Sequence, residues 1–85
     1  MTFSVQIKRS AAKELARVSK QDRIRIVDAI DRLAEWPHMG APLKGQHRGL
    51  RRVRVGTYRV VYEVLDEALI VLVVRVAHRR DAYRK

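Results

Sequence analysis

Leu50-Arg51-Arg52-Val53-Arg54-Val55-Gly56-Thr57-Tyr58-Arg59-Val60-Val61-Tyr62-Glu63-Val64-Leu65 is the stretch whose reading decides the fold. Its valines, tyrosines and leucines suit a pleated surface. Gly56-Thr57 divides it, and glycine at the first position of a two-residue loop marks a type II′ hairpin turn. That loop leaves one register: Val55 opposite Tyr58, Arg54 opposite Arg59, Val53 opposite Val60, Arg52 opposite Val61. Side chains alternate between faces, so Arg52, Arg54 and Arg59 share one face, while Val53, Val55, Tyr58, Val60 and Tyr62 take the other, against the core. Arg54 across from Arg59 sets like charges together, which is unfavourable in a sheet. A phosphodiester lying across that face reverses the sign, because arginine's planar fork suits phosphate oxygens. The plain alternative is that the side chains splay into water.

Outward from the hairpin, Ala68–Val76 reads as a third strand, and its segment Leu69–Val74 is apolar on both faces, as a central strand requires. Asp66-Glu67 separates it from the second strand without specifying a register. At the other end, Phe3–Lys8 alternates with period two and predicts a half-buried strand. Ser10 is the expected N-cap of a helix over Ala11–Val18 with Ala11, Ala12, Leu15 and Val18 on one side. Ser19 and Asp22 have the spacing of a capping box. They open a second helix with Ile24, Val27, Ile30, Leu33 and Ala34 inward and Asp28, Asp31, Arg32 and Glu35 outward. Pro37 ends that helix, and residues 37–49 read as a loop. The order β-α-α-β-β-β predicts an α+β fold of one domain over residues 1–85. An N-terminal strand and an antiparallel helical hairpin precede a three-stranded antiparallel meander, all in one sheet. With one helix layer, the second face of the sheet is left exposed, and function is to be sought there.

Charge narrows the function. The 85 residues carry 19 Lys and Arg against 9 Asp and Glu, a net charge of +10. A polyanionic partner is implied: nucleic acid first, an acidic protein second, an anionic membrane surface a distant third. Residues 1–35 mix both signs, as a solvated helix surface does. Between Trp36 and Tyr62 there is no acid, yet Lys44, Arg48, Arg51, Arg52, Arg54 and Arg59 all fall there. Arg75, Arg79, Arg80, Arg84 and Lys85 follow. With no cysteine there is neither a disulfide nor a thiolate metal site, and no P-loop, Ser/His/Asp set or metal-ligand cluster is visible. The N-terminus lacks a long apolar run, so a cytoplasmic location with no membrane partner is the default. His38 and His47 read as loop surface without a partner. Trp36, Met39 and Phe3 are expected to pack rather than to stack on bases.

Leu43-Lys44-Gly45, Gly49-Leu50, the run Val53–Glu63 and the tail Val76-Ala77-His78-Arg79-Arg80-Asp81-Ala82-Tyr83 resemble, over essentially the whole chain, the RelE/ParE superfamily of toxins from type II toxin–antitoxin modules. The resemblance implies a microbial-RNase-like RelE fold. It also implies a ribosome-dependent mRNA endoribonuclease in which a ribose 2′-OH attacks the adjacent phosphate without metal or cofactor. Such chemistry needs a base, a cation for the phosphorane and an acid for the leaving 5′-oxygen. Arg59 matches the family's phosphate-binding arginine, Arg79 the arginine after the last strand, and Tyr83 the tyrosine near the C-terminus. Arg52 and Arg54 stand where the best-known members carry lysines. Arginine keeps its proton, so neither is a general base, which leaves His78 and Tyr83 as proton-transfer candidates. The implied catalytic set is Arg54, Arg59, Arg79, Tyr83 and His78. Lys44, Arg48, Arg51, Arg52 and Arg80 are the expected phosphate contacts, and Glu63 is left as a base or a neutralising neighbour. The expected partners are the ribosome, mRNA and an adjacently encoded RelB-like antitoxin in a hetero-oligomeric complex. Two other functions stay open: a ParE-like inhibitor of DNA gyrase, and a basic adaptor without catalysis.

Overall fold

The computed structural model describes residues 2–45 and 49–78. Strand β1 spans Ser4–Ile7, helix α1 Arg9–Ala16 and helix α2 Lys20–Leu33. Strands β2 (Ala41–Pro42), β3 (Leu50–Val55), β4 (Tyr58–Leu65) and β5 (Ile70–His78) follow. The described strands form one sheet in the order β1-β5-β4-β3-β2. The β3–β4–β5 meander is antiparallel, as expected. The sheet as a whole is mixed, because β1 lies parallel to β5. Strand β5 therefore has neighbours on both sides, which accounts for its apolar run.

Both helices bury one side against β4 and β5. Ala11, Leu15 and Val18 meet Ile26, Ile30, Leu33, Val60, Tyr62, Val71, Val73 and Val76 in a single core. Helix α1 begins at Arg9 with Lys8 at the cap position and no side-chain cap, so the predicted cap Ser10 lies inside the helix. Lys8 serves both elements: its N–H donates to the Val73 carbonyl and its own carbonyl accepts from Ala12, both at 2.9 Å. Ser19 does cap α2, its hydroxyl accepting from the Asp22 N–H at 3.4 Å. The inward stripe of α2 is Ile26, Ile30 and Leu33, and this corrects the predicted one. Ile24 and Val27 are 60% and 41% exposed. Their side of the helix also carries Asp28 and Asp31, and the charges keep it in water. Trp36, expected to pack, is 59% exposed.

Two further departures concern the strands. The loop after α2 contributes the two-residue strand β2, with Ala41 paired to Arg52 and Pro42 to Arg51. Strand β5 starts at Ile70 and carries a bulge. Val61 pairs with Arg75 while Tyr62 pairs with Val73, so Val74 is the extra residue. The turn before it takes in Asp66 to Leu69, with Leu69 at φ 56°.

Candidate nucleic-acid interface

The β3–β4 hairpin has the register read from its loop. Val55 stands opposite Tyr58, Arg54 opposite Arg59, Val53 opposite Val60 and Arg52 opposite Val61. Gly56 has φ 60° while Thr57 stays at negative φ, the pattern of a type II′ turn. Tyr58, Val60 and Tyr62 face the helices, so Arg52, Arg54 and Arg59 lie on the face that no described helix covers. Arg54 is exposed, and Arg52 and Arg59 are half-buried. Burial reaches the Nε atom of Arg59. Across β4, Arg59 faces Ala77, whose methyl leaves the guanidinium room above the sheet. Glu63 shares this face four residues along β4 from Arg59, about 13 Å at strand rise.

Not all the predicted residues join this face. Arg51 belongs to the helix side, opposite Tyr62. Its Nη1 donates to the carbonyls of Gly40 at 2.6 Å and His38 at 3.1 Å, which commits it to the loop before β2. Lys44 is exposed just beyond β2. His78 faces the helix side too, its ring 5.7 Å from that of Tyr58 in an edge-on contact at 71°. His78 therefore stands on the opposite face of the sheet from Arg54 and Arg59. Arg48, Arg79, Arg80 and Tyr83, together with His47, lie outside the described residues.

Other residues, given no role from sequence, hold this surface in shape. The buried Tyr62 hydroxyl donates to the Pro37 carbonyl at 2.8 Å and accepts the Gly40 N–H at 3.0 Å. Burial pushes its phenol above the ordinary value, while the Gly40 hydrogen bond and the Arg51 charge pull the other way. A Cβ on Gly40 would stand 2.5 Å from both the Arg52 carbonyl and the Tyr62 hydroxyl, so only glycine fits. Glu14, which reads as ordinary helix surface, accepts the Val76 N–H at 2.9 Å and lies 3.5 Å from the Arg75 guanidinium. The clue was its position three residues after Ala11 and beside Leu15, an acid on the apolar side of α1. His38, predicted to be without a partner, meets Asp66 at 3.1 Å.

Residues 5–83 match the family model of the ParE toxin of the type II toxin–antitoxin system parDE. The chain belongs to the RelE/ParE toxin superfamily. Among relatives of known sequence, it is 32% identical to the toxin RelG of Mycobacterium tuberculosis over the whole of both chains. It is 33% identical to that organism's toxin RelE, covering 96% of this chain and 87% of the relative. Its fold is similar to a chain of the M. tuberculosis RelBE2 toxin–antitoxin complex, with a TM-score of 0.85 and 30% identity, covering 93% of this chain and all of the other. As a type II toxin with a RelE fold, it presents Arg52, Arg54 and Arg59 on the sheet face that its described helices leave bare. No described helix is long and apolar enough to cross a membrane.

Proposed function

We propose that this toxin arrests translation by cutting mRNA in the ribosome. The observation that carries the reading is the Arg54–Arg59 pair, like charges held opposite one another on the helix-free face. A fold gains nothing from that arrangement until an anion lies across it. In the proposed reaction the ribose 2′-oxygen forms a bond to the adjacent phosphorus while the bond to the 5′-oxygen breaks. The 2′-proton leaves to a base and the 5′-oxygen receives one from an acid. Arg59 and Arg54 carry the charge that builds on the non-bridging phosphate oxygens, and Arg52 orients the backbone. By the family resemblance, Arg79 adds a cation and Tyr83 the proton-transfer hydroxyl. An adjacently encoded antitoxin covers the basic face in the resting complex.

Primer extension on a translated message after toxin induction tests this. Codon-registered cuts are expected, and Arg59→Ala should abolish them. Intact mRNA with induced DNA damage would overturn the reading in favour of a ParE-like gyrase inhibitor, the alternative that the matching ParE family model supports.

A further inference from the structure

Strand β1 stops short. Its last pair is Ile7 with Val73, so the final five residues of β5 have no described strand beside them on that side. Helix α1 stands there instead, and Glu14 captures the outward N–H of Val76. Between α1 and this open edge lies a cleft of about 370 Å³, with Arg17, Tyr58, Ala77 and His78 among its lining residues. That volume is in the range of small-ligand clefts, about 300–1,000 Å³.

The cleft is reached from both faces of the sheet. Ala77 stands opposite Arg59 and belongs to the arginine face, whereas Tyr58 and His78 belong to the helix side. One strand spacing beyond Arg59, about 4.8 Å, comes Ala77, and past it no described strand continues the sheet. A single strand of nucleic acid crossing from Arg54 over Arg59 toward β5 runs off the sheet into the cleft. What it meets there suits a nucleotide. Tyr58 and His78 give the cleft two aromatic rings in edge-on contact, and unpaired bases stack on aromatic rings. Arg17, the exposed C-cap residue of α1, lines the cleft and offers its guanidinium to a backbone phosphate. The acid of the cleft, Glu14, is taken up by Val76 and Arg75, which blunts its repulsion of an anion.

We infer that the cleft is a nucleotide subsite, distinct from the arginine face and continuous with it. The nucleotide next to the one held by Arg54 and Arg59 places its base against Tyr58 and His78 and its phosphate on Arg17. The inference rests on the RNA-cleaving reading and extends its footprint around the sheet edge. The test uses a 12-nucleotide single-stranded RNA with one 4-thiouridine, irradiated on the full-length toxin, with the adduct mapped by peptide mass. Moving the thiouridine along the RNA should give one position that labels Tyr58 or His78. Arg17→Gln, an exposed position just after α1, should keep the melting temperature and lower the log–log salt slope of RNA binding by about one. His78→Leu should reduce the adduct yield, a second probe in case Tyr58→Leu loosens the core. Adducts confined to the arginine face of β3 and β4, with none on Tyr58 or His78, or an Arg17→Gln slope equal to the parent's, overturn the inference. If message is still cut in translation without cleft adducts, the subsite alone fails. If the parent neither binds the RNA at low salt nor cuts message, the RNA-cleaving reading falls with it.

Discussion

Tyr62 is held on both sides of its hydroxyl by a loop that lies far away in sequence, through Pro37 and Gly40. Tyr62→Phe keeps the ring and strands the Gly40 N–H in a buried place, so it should cost about 1–3 kcal/mol. Urea denaturation with an unchanged m-value checks it. The same residue sets an alkaline limit. Its phenol is raised above 10.0 in the folded state, so the native state holds this proton more tightly than the unfolded chain. That contribution is complete below pH 10 and is lost as pH climbs through the folded value. Thermal melts at alkaline pH should fall more steeply for the parent than for Tyr62→Phe. At the arginine face the expectation concerns rate. Arg59→Ala should cut message cleavage by about 10²–10³, since one electrostatic contact to the transition state is removed. The Arg54–Arg59 pair was legible in sequence because a two-residue loop admits one register. Tyr62 was not, because strand patterning reports which side a residue faces and not which distant carbonyl waits there.

Among the elements, β5 is the one whose sequence says least about its geometry. Its apolar run is the same whether or not a residue bulges out, and the bulge at Val74 appears only in the pairing. Strand β1 read correctly as a strand but not as the parallel neighbour of β5, a choice made by where the helical hairpin returns the chain. In α2 the spacing of apolar residues allowed two stripes, and the charges Asp28 and Asp31 selected the one with Ile26, Ile30 and Leu33. Glu14 joins helix to strand at the bulge. Glu14→Gln keeps an oxygen acceptor for the Val76 N–H, and Glu14→Ala leaves that donor without one. The alanine variant should lose about 1–3 kcal/mol in chemical denaturation and the glutamine variant clearly less. Equal losses would mean that the Arg75 ion pair, and not the backbone capture, is what Glu14 contributes.

For the whole molecule, the net charge of +10 is the property that sequence announced and the fold gave direction. Among the described residues, positive charge gathers on the β3–β4 hairpin through Arg52, Arg54 and Arg59, while Asp28, Asp31, Asp66 and Glu67 lie on α2 and the β4–β5 turn. RNA or ribosome affinity should fall steeply with salt through counterion release, measured by titration across a series of salt concentrations. A flat log–log plot would remove this surface as the main contact. An antitoxin that binds the folded toxin alone should raise its melting temperature in proportion to the logarithm of free antitoxin concentration. A scan at increasing antitoxin checks that relation.

Arg54 facing Arg59 has a consequence for how the toxin is lost in a population. Cells that escape growth arrest carry alleles in which the toxin no longer works, and the hairpin is a ready target. Replacing the exposed Arg54 relieves a local repulsion, so escape alleles at that position should encode proteins that melt higher and accumulate more than the parent. Sequencing survivors and comparing steady-state levels would then show an inverse relation between harm and abundance. Knock-outs arising in the buried core, such as at Ile26 or Val73, should instead vanish by degradation.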